Sequence, residues 1–163
     1  MTKHQAYLVL GSNIEPARNF AAALRLLEEQ CHLVAQSPVY RTPPQGEGAE
    51  GDFLNMAVLV ETDLSPAEFK QNVIAYIEKT LLRVRDPNNR NAPRTIDLDI
   101  ALWDDSVLTY GEKPWRIPDP DILQFAHVAV PLAAIAPDYR HPETGDTLAM
   151  IAGRFGPLYP VFI

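Results

Sequence analysis

Asp97 and Asp99 are two carboxylates one residue apart in Arg94-Thr95-Ile96-Asp97-Leu98-Asp99-Ile100-Ala101-Leu102-Trp103. In an extended strand alternate side chains share a face, so Thr95, Asp97, Asp99 and Ala101 would point one way and Ile96, Leu98, Ile100 and Leu102 the other. Two carboxylates at that spacing lie roughly 6–7 Å apart. They could reach one hard cation, or bridge two Mg²⁺ ions about 3.5–4 Å apart. Arg94 leads into the strand, and Arg83, Arg85 and Arg90 precede it. Guanidinium groups beside a carboxylate metal site are what a polyphosphate requires, because both neutralise its oxygens. The chemistry suggested is metal-dependent phosphoryl transfer. A solvent-facing Asp pair on an ordinary amphipathic strand is the alternative that these residues alone leave open.

The totals narrow the setting. A chain of 163 residues can bury its own core, so one domain spanning 1–163 is expected. The fifteen prolines fall between periodic segments, as punctuation in an ordered fold. A net charge of −7 disfavours nucleic acid and anionic membrane as partners, and any anion site must be built locally. The single cysteine, Cys31, excludes an intramolecular disulfide, and the first residues lack a signal-peptide apolar run. With no apolar stretch near about 18 residues, no membrane span is expected and the protein is placed in the cytoplasm.

The elements that must position the Asp pair follow in order. Ala6–Leu10 reads as a buried strand stopping at Gly11, and Pro16 opens a helix with Phe20, Leu24, Leu27 and Cys31 on one stripe. A second strand over 33–40 is broken by Pro38. The loop from Tyr40 to Asp52 is stiff at its prolines and long enough to be functional. A third strand runs from Phe53 to Thr62; Asn55, near its start, is either a turn cap or a contact for a planar heterocycle. Ser65-Pro66-Ala67-Glu68 is a capping box that starts a helix burying Phe69, Val73, Tyr76 or Ile77, Thr80 and Leu81. The polar loop 86–93 is a candidate lid. After the central strand, Val107–Tyr110 is expected as its hairpin partner, with Trp115 covering the core edge and 117–121 irregular. Residues 122–136 favour helix, its main segment starting at Pro131. A last helical turn over 148–152 and an apolar tail, 155–163, that packs back on the body complete the chain. The order β-α-β, β-α-β predicts an α+β fold, a ferredoxin-like α/β sandwich around a mainly antiparallel sheet.

Leu10-Gly11-Ser12-Asn13, Tyr40-Arg41-Thr42-Pro43-Pro44-Gln45-Gly46, Phe53-Leu54-Asn55, Arg83-Val84-Arg85 and Pro93-Arg94-Thr95-Ile96-Asp97-Leu98-Asp99-Ile100 carry a resemblance over almost the whole chain. In order and spacing they resemble the 6-hydroxymethyl-7,8-dihydropterin pyrophosphokinases of folate synthesis. The resemblance implies Mg²⁺-dependent transfer of pyrophosphate from ATP to the pterin's hydroxymethyl group, releasing AMP. It implies that Asp97 and Asp99 hold two Mg²⁺ ions and act in catalysis with Arg83 and Arg94. Glu78, Arg83, Arg85, Arg94 and the backbone of Ile100 would contact ATP; Thr42, Pro43, Pro44, Gln45, Phe53, Asn55 and His127 would hold the pterin. The departures are a lid without the family's Trp, Asp119 in place of a phosphate-contacting His, Phe125 in place of an Arg, and His127 in place of a stacking Phe. They leave two alternatives: the same chemistry on another pterin-like acceptor, or a non-catalytic binding homologue.

Overall fold

The computed structural model describes residues 3–42, 53–82 and 95–163. Strand β1 (His4–Ser12) lies between β5 (Asp97–Trp103) and β4 (Phe53–Thr62). Beyond β4 lie β2 (His32–Gln36) and β3 (Val39–Thr42), and the two-residue β8 (Pro160–Val161) closes the far edge along β3. Every pairing in this sheet is antiparallel, as the sequence predicts. Helix α1 (Pro16–Gln30) and the paired segments α2 (Pro66–Phe69) and α3 (Ala75–Thr80) cover one face; α4 (Ala126–Ile135) and α5 (Leu148–Ala152) cover the other.

The unbroken apolar run of β1 reflects this double cover. Ala6, Leu8 and Leu10 join Phe20, Leu27, Phe69 and Ile77 on one face, while Tyr7 and Val9 join Val128, Leu132 and Ile151 on the other. Strands with two buried faces need no polar alternation. The strand continues one residue past Gly11, since Ser12 pairs with Leu54. The predicted break at Pro38 also has a visible cause. Ser37 Oγ takes the Ala57 N–H at 2.9 Å, so a side chain serves the ladder where the strand divides.

The expected alternation on β5 fails at its end. Leu8 lies opposite Ile100 but Tyr7 lies opposite Leu102, so Ala101 is the extra residue of a bulge. Leu102 therefore packs with Tyr7 and α4, and Trp103 crosses to the α1 face. Trp103 meets Phe69 edge-on, ring centroids 5.9 Å apart. Phe69 is fully buried, so Phe69→Ala should cost about 3–5 kcal/mol in urea unfolding by leaving a cavity under the β5 bulge.

The helix after the capping box is corrected too. Ser65 and Glu68 cap each other as expected, but Lys70–Ile74 forms a π turn between α2 and α3, with the Ala75 N–H bonding Lys70 O. Phe69, Val73 and Ile77 recur every four residues, a spacing that drifts off one face of a regular α-helix. The wider turn restores them to the core. Ile77 and Ile74 are buried, Tyr76 points out, Thr80 is exposed, and Leu81 packs at the margin.

Val107–Tyr110 is not the partner of β5. Strand β6 (Leu108–Tyr110) pairs with β7 (Trp115–Ile117), and the cross-strand rings of Tyr110 and Trp115 stack at 5.7 Å. Gly111, at φ +82°, supplies the turn. Residues 122–136 do not form one helix either. Asp119 caps a 3₁₀ turn, Pro120–Leu123, and α4 begins after the extended Phe125, so Pro131 lies inside α4. Burial of Val128, Ala129 and Leu132 against the sheet outweighs the one helical bond that Pro131 cannot donate. Of the tail, Val161 packs through β8, but Tyr159, Phe162 and Ile163 are exposed, contrary to expectation. No helix among the described residues is long and apolar enough to cross a membrane.

Candidate active site

Strand register builds the site. Gly11 on β1 stands opposite Asp97 on β5 and opposite Asn55 on β4, so Asp97, Gly11 and Asn55 form one row on the sheet face toward α4. The next row on that face is Asp99, Val9 and Ala57. Gly11 is needed there for space: a Cβ would meet Asn55 Oδ1 at 3.1 Å and Phe53 Cδ1 at 3.9 Å. Asn55 is not a turn cap. Its buried side-chain amide donates to Thr42 Oγ1 at 3.0 Å, and that hydroxyl leans on Phe53 O at 3.4 Å. Thr42 thus stands behind Asn55 and orients it.

At the outer edge of β5 both carboxylate residues line a cleft of about 960 Å³ that reaches past the edge to α2, α3 and the β6–β7 hairpin. Burial and the neighbouring Asp97 charge push the Asp99 carboxyl up to about 7, against a pull downward from Lys70. Glu78, also buried, lines the cleft and accepts the Leu98 N–H at 3.3 Å, covering part of the open edge. By strand alternation the backbone of Ile100 faces the same edge, while its side chain is in the core.

Two hard oxygen donors on one strand face suit Mg²⁺, which prefers one or two carboxylates plus substrate oxygens to an all-protein cage. Among the described residues no group of three or more potential ligands converges.

A sequence model of one family matches residues 7–137: 7,8-dihydro-6-hydroxymethylpterin-pyrophosphokinase. The chain belongs to this family. Among its pyrophosphokinase relatives, the 2-amino-4-hydroxy-6-hydroxymethyldihydropteridine pyrophosphokinase of Methylorubrum extorquens is 39% identical over 137 residues, covering 82% of this chain and 84% of the relative. That of Pseudomonas aeruginosa is 37% identical over 142 residues, 85% of each. Among solved structures, wild-type Plasmodium falciparum HPPK-DHPS with pteroate superposes with a TM-score of 0.77 at 14% identity, over 94% of this chain and 44% of that longer one. That likeness bears on the fold.

Two of the positions where this pyrophosphokinase departs from the family pattern, Asp119 and His127, lie close enough to Asp97 to feel its charge. Asp119 is raised to about 6, chiefly by burial, and feels the charge of Asp97. Its side chain also accepts the Asp121 N–H at 2.9 Å. His127 stacks on Phe125 at 5.2 Å. Burial holds its pKa below the usual value, against pulls upward from Asp121 and Asp97. A neutral imidazole backed by a phenyl ring remains a flat surface. Arg83, Arg85, Arg90, Arg94, Pro43, Pro44, Gln45 and the candidate lid 86–93 lie outside the described residues.

Sequence reasoning missed Lys70, Tyr110 and Trp115, all of which line the cleft. The one available signal was the four-residue spacing of Phe69, Val73 and Ile77, which implies a widened turn at Lys70.

Proposed function

We propose that this pyrophosphokinase moves the β,γ-pyrophosphoryl group of ATP onto the hydroxymethyl oxygen of 6-hydroxymethyl-7,8-dihydropterin, with Asp97 and Asp99 holding two Mg²⁺ ions. The row Asp97–Gly11–Asn55 carries the reading. Adjacent strands are about 4.8 Å apart, so the Asn55 and Asp97 backbones stand about 10 Å apart with the side-chain-free Gly11 between them. A flat bicyclic ring bonded at one edge by Asn55 and lying over Gly11 directs its hydroxymethyl group toward Asp97. Phe53 and His127 supply the slot's flat walls, with Thr42 fixing the amide; the family resemblance adds Pro43, Pro44 and Gln45 to the pterin's contacts.

Bound Mg²⁺ would neutralise the triphosphate and make the β-phosphorus a better electrophile. The chain's own part is orientation and charge. Arg83 and Arg94 balance the charge that builds as the α,β bridge breaks and AMP departs. Glu78, Arg85 and the Ile100 backbone hold the nucleotide. The chain works as a single domain, a monomer and a cytoplasmic enzyme on this reading.

The test is AMP release from ATP and Mg²⁺ with and without 6-hydroxymethyl-7,8-dihydropterin. AMP formed only when the pterin is present is the expected result. Tight MgATP binding with no AMP would overturn the acceptor assignment, and absence of both turnover and nucleotide binding would overturn the enzyme reading itself.

A further inference from the structure

We propose that Lys70 is a polyphosphate-binding residue of this chain and that Trp115 positions it; the proposal rests on the nucleotide reading above. Lys70 begins the π turn and lines the same cleft as Asp97 and Asp99. Its ammonium lies 5.1 Å from the centroid of the Trp115 ring. Among the described residues it forms no ion pair.

The other lysines lining this cleft, Lys79 and Lys113, are exposed, whereas Lys70 is half-buried. It is also the lysine whose charge reaches both Asp99 and Asp119. A half-buried ammonium resting on an aromatic face rather than on a carboxylate retains donors for an incoming anion. The anion that fits is the one the carboxylates recruit through metal, a triphosphate.

The hairpin is built to hold the ring in place. Tyr110 stacks on Trp115, and a Cβ at Gly111 would come within 2.7 Å of the Trp115 ring, so the indole lies directly on the turn backbone. With one anchor on the hairpin and one on the π turn, Lys70 and Trp115 join the two walls of the cleft. Lys70 also offers a positive charge on the side where Asp119 adds a negative one.

The test compares wild type, Lys70→Gln, Lys70→Arg, Trp115→Ala and Lys70→Gln/Trp115→Ala in the AMP-release assay. Losing a charged contact should raise the KM for ATP about 10-fold in Lys70→Gln, with the pterin KM unchanged and a shallower dependence of ATP KM on salt. Lys70→Arg should restore most of the loss. Because Trp115 acts through Lys70, the double variant should be no worse than Lys70→Gln alone. An unchanged ATP KM and salt dependence in Lys70→Gln would overturn the role of Lys70, and multiplicative effects would overturn that of Trp115. Wild-type turnover in the same assay separates either failure from failure of the pyrophosphokinase reading.

Discussion

Asp97→Asn should lower pterin-dependent AMP release by about 10³-fold or more, yet leave the metal-free protein more stable at pH 8. Both effects come from the same pair of charges. Asp99 is raised to about 7 by burial first and by Asp97 second. An acid whose pKa is higher in the folded chain binds more protons there than when unfolded, so its contribution to stability is greatest below its ordinary value near 3.8 and is lost as pH rises through about 7. Metal-free wild type should therefore weaken between about pH 4 and 8. Removing the Asp97 charge relieves part of the repulsion, by about 1–2 kcal/mol at pH 8. At pH 4, where Asp99 is protonated in both proteins, the difference should vanish. Urea unfolding in chelator at the two pH values measures this. Equal unfolding midpoints for both proteins at pH 8 would show that the carboxylates do not strain one another, and full activity in the variant would remove Asp97 from the metal site.

Gly11→Val should raise the pterin KM by about 100-fold while leaving the ATP KM within about twofold. The backbone of Gly11 needs no special conformation; its surroundings need the space. Even one carbon there sits 3.1 Å from Asn55 Oδ1, and Asn55 cannot simply swing away because its amide is bonded to Thr42. Valine adds two further methyl groups in the same row and covers the floor between Asn55 and Asp97. Gly11→Ala, a smaller intrusion, should raise the pterin KM about 10-fold and is the variant to rely on if valine prevents folding. Steady-state kinetics with each substrate varied in turn decides the matter. An unchanged pterin KM in the alanine variant would mean that the acceptor does not lie over Gly11.

These two expectations draw on different kinds of information. The pairing of Asp97 with Asp99 on one face was legible in sequence, because alternation along a strand is a property of two residues and the backbone between them. The capping box at Ser65 and Glu68 was legible for the same reason, its partners being three residues apart. The doubly covered β1 announced itself as an unbroken apolar run, and the antiparallel α+β order followed from the sequence of elements.

What sequence could not determine is what depends on register and on residues far apart in the chain. A single extra residue at Ala101 sent Leu102 to the opposite face, and nothing in Ile100-Ala101-Leu102 marks a bulge. The choice of β7 rather than β5 as partner for β6 turned on the Tyr110–Trp115 stack and the turn at Gly111. The site itself is a row across three strands, joining Gly11 to Asn55 and to Asp97 over separations of more than forty residues. Local pattern fixed which side chains could do the chemistry, because it is set by bonds within a few residues. Their meeting over one glycine, and the approach of Lys70 to Trp115 beside them, was decided only by tertiary packing, which selects one strand register and one helix rotation from several that the local pattern permits.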